Sequence, residues 1–245
     1  MQPIHEREAL KHYYQDSERA GAYVDTRFRS PRGRVLHRAQ VGILNQLIRA
    51  RQIDTALELA TGPARLTRDI LGLKRGVGVD ASPQMLALAR AALDPTVWEL
   101  RQADIYELSL AERFPLVFSF RFQRHLEDAP RAIVLSRVRE HLQPDGRFVF
   151  DAPNVVVEAS IRRSKPHAFP IYDKLWSPDE LTRELDAAGF ELERLHPTLR
   201  WHGIQRWISR AGESFLLGPC TWAVAQLERL PGDQPLEWTV ECRRR

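Results

Sequence analysis

Cysteine is scarce in this sequence: two residues, Cys220 and Cys242, stand among 245. Their separation matches neither the paired spacing of zinc ligands nor the disulfide framework of a small secreted domain. We therefore expect no metal site, and we expect both thiols to be reduced and buried.

Long hydrophobic runs are absent as well. No apolar stretch approaches the roughly 18 residues that a transmembrane helix needs, and residues 1–6 lack the apolar core of a signal peptide. We expect a cytoplasmic protein that has no membrane partner. With 245 residues, 43% of them hydrophobic, the chain is sized for one domain with a substantial core.

Lysine is also scarce. Only Lys11, Lys74, Lys165 and Lys174 occur, so arginine supplies most of the 36 basic residues and the net charge of +4. A basic balance is compatible with an anionic substrate or with nucleic acid. Because the charges are spread along the chain, a solvated surface is the favoured interpretation, and nucleic acid is not expected as a partner.

The stretch 57–67 organises the predicted fold. An apolar run over 55–59 predicts a buried strand, with Glu58 near its end. The small residues of the turn at 60–62 let a ligand approach the backbone closely. A helix predicted to begin near Ala64 would offer its free N–H groups to an anionic ligand.

A second carboxylate stands at Asp80, 18 residues after Gly62 and at the end of the next predicted strand. A carboxylate in that position suits the two hydroxyls of a ribose. The three-glycine pattern of dinucleotide-binding proteins does not fit, because Ala64 and Thr67 stand where it requires glycine. The sequence thus predicts a cofactor that contains adenosine and is not NAD(P).

The loop resembles the E-x-G-x-G-x-G sequence of class I S-adenosylmethionine-dependent methyltransferases. Glu58 and the central Gly62 are kept, whereas Ala60 and Ala64 stand at the outer glycines. The resemblance implies S-adenosylmethionine as the cofactor. It also implies an α/β fold, with a doubly wound, mostly parallel, Rossmann-like sheet of seven strands, a last antiparallel strand and a helical N-terminal lid. We predict a single domain over 1–245.

The resemblance further assigns residues to the cofactor. Asp104, after a third predicted strand, would accept the adenine amino group, and Ile105 would pack on the ring; alternatively, Asp104 only caps the next loop. Residues 1–33 would form the lid, whose aromatic and arginine side chains either touch the cofactor or only pack between helices. The implied cofactor contacts are Tyr14, Tyr23, Arg27, Glu58, Ala60, Thr61, Gly62, Asp80, Ala81, Met85, Asp104, Ile105, Phe120 and Arg121.

The loop after the fourth predicted strand, 116–120, carries the predicted catalytic residue, His125. In the family this loop lies beside the methyl donor. An imidazole, with an ordinary pKa of about 6.5, is suited to remove a proton from a hydroxyl nucleophile. The alternative is that His125 only packs under the cofactor or bonds a backbone carbonyl.

Residues 152–176 read as an irregular insertion that shapes the substrate pocket. Arg162 and Arg163 lie in it. Together with arginines near the N-terminus, Arg27, Arg29, Arg32 and Arg34, they suggest an anionic or polyhydroxylated substrate. We therefore predict a methyltransferase that acts on a small molecule, by O-methylation of a hydroxylated or anionic metabolite. An RNA or protein methyltransferase that uses the basic surface, and a non-catalytic binding partner that keeps the fold, stay open as alternatives. A homodimer is also compatible with the sequence.

Overall fold

The computed structural model describes residues 28–212 and 216–245, which contain one sheet of seven strands. The strand order is β3-β2-β1-β4-β5-β7-β6. The strands are β1 (Thr55–Leu59), β2 (Arg75–Asp80), β3 (Trp98–Gln102), β4 (Phe114–Ser119), β5 (Leu142–Pro153), β6 (Phe190–Thr198) and β7 (Glu237–Arg244).

Strands β1 to β5 run parallel to one another, and β7 is antiparallel to both β5 and β6. This arrangement confirms the predicted doubly wound α/β fold, including the antiparallel last strand.

Helices cover the sheet. They are α1 (Pro31–Arg51), α2 (Pro83–Ala92), α3 (Asp128–His141), α4 (Val155–Ser164), α5 (Pro178–Ala187), α6 (His202–Ala211) and α7 (Leu217–Glu228). Three of them begin at a Ser-Pro pair, in which the serine hydroxyl accepts a backbone N–H three residues on and proline takes the first helical position. These serines are Ser30, Ser82 and Ser177.

The core lies on both faces of the central strands, whose side chains alternate from one face to the other. One face packs around Leu57, Val117 and Phe148, and the other around Leu116 and Val149. All five side chains are fully buried, as expected for strands covered by helices on two sides. The carboxyl ends of β1 to β4 therefore meet at one edge of a rigid sheet.

The helix predicted near Ala64 is wrong. Only a short 3-10 helix, Thr67–Asp69, lies between β1 and β2. The reason is conformational: Gly62 and Ala64 both adopt left-handed backbone angles, with φ of 58°, which no right-handed helix can contain. A helix dipole therefore does not contribute at this loop.

The segment 152–176 is not irregular, because it contains α4 and a 3-10 helix at Pro166–Ala168. Asn154 caps α4 by accepting the N–H of Val156. Helix α6 occupies part of the segment 197–220. Helix α3 begins at Asp128, and Glu127 is its N-cap residue.

The expectation that both cysteines are buried holds for one of them. Both cysteines are free, but only Cys242 is buried, whereas Cys220 is half-buried.

The predicted cofactor contacts Tyr14, Tyr23 and Arg27 lie outside the described residues. Within 28–212 and 216–245, no helix is both long enough and apolar enough to cross a membrane.

Candidate functional site

A cleft opens at the carboxyl ends of β1, β2, β3 and β4, where ligands of open α/β sheets bind. The empty space at the cleft amounts to about 1170 Å³, a figure that includes open solvent. Its lining residues are Glu58, Ala60, Thr61, Gly62, Pro63, Arg65, Leu66, Asp80, Ala81, Ser82, Met85, Asp104, Ile105, Tyr106, Phe120, Arg121, Phe122, His125 and Leu126.

Every predicted site residue within the described part of the chain lies in this one cleft. The set runs from Glu58 to His125 and comes from four separate loops. Sequence reasoning missed the lining residues Pro63, Arg65, Leu66, Ser82, Tyr106, Phe122 and Leu126. Each of these is within four residues of a predicted contact, so treating each loop as a unit would have found them.

The loop after β1 has an alternating left-handed backbone. Ala60, Gly62 and Ala64 have φ of 56°, 58° and 58°. The two alanines thus adopt the conformation that glycine supplies in the family loop, at a steric cost to each Cβ. A Cβ added at Gly62 would meet no protein atom within 4 Å, so the backbone there is open to a ligand.

Replacing Ala60 by glycine is expected to raise the free energy of unfolding by about 0.5–1 kcal/mol, because glycine relieves the left-handed strain. The matched control is Ala91→Gly, at an exposed position of α2. There the same exchange should lower stability by about 1 kcal/mol. Chemical denaturation measures both, and a destabilised Ala60→Gly protein would contradict the prediction.

Asp80 joins the first two loops. Its Oδ2 accepts the N–H of Gly62 at 2.7 Å, and its Oδ1 accepts the N–H of Ser82 at 2.8 Å. Burial raises the pKa of Asp80, although these backbone hydrogen bonds oppose the shift. The carboxylate therefore shapes the cleft as well as lining it.

Glu58 is buried under the loop, where its Oε2 accepts a short hydrogen bond from the hydroxyl of Thr67. Burial raises the pKa of Glu58 to about 8, against the lowering effect of the Thr67 hydrogen bond. At neutral pH the side chain is thus mostly protonated in the folded protein.

This raised pKa predicts a pH-dependent stability. Because the folded state holds a proton on Glu58 that the unfolded state releases, the stabilisation is present at acidic pH and is lost as the pH rises toward 8. The stability of the wild type relative to Glu58→Gln should fall between pH 5 and 8, by at most about 1.4 kcal/mol per pH unit. Denaturant titrations of both proteins across this range measure it; a constant difference would be the contrary result.

Asp104 and Ile105 follow β3 at the cleft. Asp104 accepts the N–H of Tyr106 at 3.1 Å, which is the capping role weighed as the alternative. Its side chain nevertheless lines the cleft, and the buried Ile105 lies beside it. The capping bond and a position at the cleft thus occur together in one side chain.

His125 ends a 3-10 turn, Gln123–His125, and is buried at the cleft. Its Nδ1 lies 3.0 Å from the carbonyl oxygen of Tyr172 and 2.7 Å from Oδ1 of Asp173. Since both neighbours are acceptors, we assign the proton of the neutral ring to Nδ1 and the lone pair to Nε2. Burial lowers the pKa of His125, although Asp173 opposes this, so the ring is neutral at pH 7.

Behind His125 lies a buried network of charged side chains. Nη1 of Arg124 is 3.0 Å from Oδ2 of Asp151 and 3.0 Å from Oε2 of Glu237, and Nε is 3.2 Å from Oδ1 of Asp173. Asp151 also accepts the N–H of Arg121 at 2.6 Å. One arginine thus holds three carboxylates behind the cleft.

Arg162 belongs to this network. It lies 2.9 Å from Oε2 of Glu158 and 2.6 Å from Oδ2 of Asp173. Two carboxylates already neutralise its guanidinium, so its suggested role in binding an anionic substrate is not supported. Arg163 is exposed. Within the described residues, no group of three or more His, Cys, Asp or Glu side chains is placed to hold a metal ion.

Comparison with known proteins indicates a family for part of the chain. Residues 56–146 match the family described as Methyltransferase domain. This part of the chain is thus similar to a methyltransferase domain, in agreement with the resemblance of its first loop. The match spans β1 to the start of β5 and includes all four loops that form the cleft.

Two curated relatives of this chain have names that refer to small molecules. The chain is 30% identical over 131 residues to the Ubiquinone biosynthesis O-methyltransferase of Azorhizobium caulinodans, covering 49% of this chain and 51% of that protein. It is 30% identical over 149 residues to the Trans-aconitate 2-methyltransferase of Azoarcus sp., covering 60% and 57%. The chain thus spans little more than half the length of these two relatives.

The chain as a whole also superposes on solved structures. One is the magnesium protoporphyrin IX methyltransferase of Synechocystis PCC 6803 with bound S-adenosylhomocysteine. The TM-score is 0.67 at 11% identity, over 98% of this chain and 100% of that one. At this identity the likeness shows the fold alone.

Proposed function

We propose that this protein transfers a methyl group from S-adenosylmethionine to an oxygen atom of a hydroxylated or anionic small molecule. The observation that carries the proposal is the convergence of the left-handed loop, three carboxyl side chains and a neutral histidine on one cleft. The names of the two relatives, an O-methyltransferase of ubiquinone biosynthesis and a trans-aconitate methyltransferase, support a small-molecule acceptor.

The lining of the cleft fits the proposed cofactor. The open backbone at Gly62 leaves room for its amino-acid end, and Asp80 has lone pairs beyond its two backbone hydrogen bonds for ribose hydroxyls. Asp104 and Ile105 offer a hydrogen-bond acceptor and an apolar wall, which together suit adenine. S-adenosylmethionine supplies an electrophilic methyl group on a sulfonium centre.

In this proposal the protein orients the acceptor hydroxyl and removes its proton. Nε2 of His125 takes the proton, while Nδ1 keeps its own hydrogen toward Tyr172 and Asp173. Asp173 remains ionised in this role: burial would raise its pKa, but Arg124 and His125 outweigh burial and hold the pKa well below its usual range. The carboxylate then stabilises the imidazolium that forms.

Calorimetric titration with S-adenosylhomocysteine tests cofactor binding. Replacing Gly62 by valine should weaken binding by about 10- to 100-fold, because the branched side chain enters the cleft and strains a left-handed position. The matched control is Gly42→Val on an exposed face of α1, where an added Cβ also meets nothing within 4 Å. Equal affinity of the two variants would argue against cofactor binding at this loop.

A further inference from the structure

Helix α6 is packed with its polar side inward. Gln205 and Ser209 are buried, and Gln205 donates to the backbone oxygen of Arg200 and to the carboxylate of Glu228. The hydroxyl of Ser209 accepts the N–H of Arg32 at 3.3 Å. Hydrogen bonds, rather than apolar packing, thus fix the inner side of this helix.

The outer side carries the large apolar residues. Ile204 and Trp207, three positions apart and so on one helix face, are 51% and 80% exposed. Helix α7, which packs against α6, adds Trp222 at 66% exposure. Leu216 and Leu230, at the two ends of α7, are 54% and 50% exposed. These five residues are called the apolar face below.

Two arginines lie on the same helix as Ile204 and Trp207 of the apolar face. Arg206 and Arg210 are exposed on α6, and α6 contains no acidic residue. Exposed tryptophan beside arginine, on a helix that does not span a membrane, is typical of a helix that lies in the interface of an anionic bilayer. A two-fold contact between copies of this chain would instead bring the same arginines toward one another.

We propose that α6 and α7 dock the protein on the surface of an anionic phospholipid membrane. The apolar face enters the boundary between headgroups and acyl chains, and Arg206 and Arg210 contact lipid phosphates. This departs from the expectation of no membrane partner, which rested on the absence of spanning segments. The proposal goes beyond methyl transfer and does not depend on it.

Sedimentation with lipid vesicles tests the proposal. The full chain should sediment with vesicles of phosphatidylcholine mixed with phosphatidylglycerol, remain in solution with phosphatidylcholine alone, and dissociate at high salt. Trp207→Ser combined with Trp222→Ser should abolish sedimentation. Each of Arg206→Gln and Arg210→Gln should weaken it about fivefold.

Leu71→Ser is the matched control, since Leu71 is 69% exposed but lies in the connection between β1 and β2. This variant should sediment as the wild type does. Thermal unfolding shows whether each variant is folded, and a blue shift of tryptophan emission on adding vesicles reports insertion directly.

Three outcomes would overturn the proposal. The wild type could fail to sediment with the mixed vesicles. The double tryptophan variant could sediment as well as Leu71→Ser. Light scattering could show a wild-type dimer that becomes monomeric in the tryptophan variant without any vesicle binding, which would assign the face to a second copy of the chain.

Discussion

Replacing Arg124 by methionine is expected to lower the free energy of unfolding by about 3–5 kcal/mol, since it leaves buried carboxylates without their cation. Arg124 is 1% exposed, and Asp151 and Glu237 beside it are 0% and 3% exposed. Although burial lowers the pKa of Arg124, the surrounding carboxylates outweigh it and hold that pKa above its usual value. The guanidinium is therefore charged in the folded protein.

The matched control for Arg124 is Arg245→Met, because Arg245 also forms an ion pair, at 2.8 Å to Asp186, but both side chains are exposed. Exposed pairs contribute about 0–1 kcal/mol, so this variant should be nearly as stable as the wild type. Denaturant unfolding compares the two. If Arg124→Met does not fold, Arg124→Lys keeps the charge and should remain folded; equal stability of Arg124→Met and Arg245→Met would show that the network contributes little.

Replacing His125 by asparagine should reduce kcat by about 10²- to 10⁴-fold if His125 is the base. The asparagine amide still donates toward the Tyr172 carbonyl, so the local fold is kept while the basic Nε2 is lost. Affinity for S-adenosylhomocysteine should stay within a few-fold of the wild type. Formation of S-adenosylhomocysteine with hydroxylated and carboxylated acceptors provides the rate.

The pH profile separates a base from a packing residue. Because burial lowers the pKa of His125, kcat of the wild type should be constant near neutral pH and fall only as the pH drops below about 6.5. His141→Asn is the control, since His141 is also buried but bonds Arg137 and Leu110 and does not line the cleft. An unchanged kcat in His125→Asn would leave His125 a packing role only.

The strands and most helices could be predicted because their signals are local. Thr55–Leu59 is an apolar run of strand length, and Ser82-Pro83 and Ser177-Pro178 are helix starts that depend only on neighbouring residues. The cleft residues followed from loops placed at the ends of these strands. The helix expected near Ala64 failed because alanine gives no sign of a left-handed backbone.

The charged network could not be read from the sequence. A fully buried arginine runs against the usual exposure of that residue type, and Glu237, which neutralises Arg124, lies 113 residues further along the chain. The contact between His125 and Asp173 is hidden for the same reason, because it joins two loops that are distant in sequence. Such pairs become visible only when the sheet has brought their elements together.

The position of β7 also bears on how the protein folds during synthesis. Since β7 lies between β5 and β6, which do not pair with each other, β6 cannot join the sheet until residues 237–244 have left the ribosome. At ordinary elongation rates the edge of β5 waits on the order of 5–20 s for its partner. An unpaired, apolar strand edge is a template for aggregation, so the nascent chain is most in need of a chaperone during this interval.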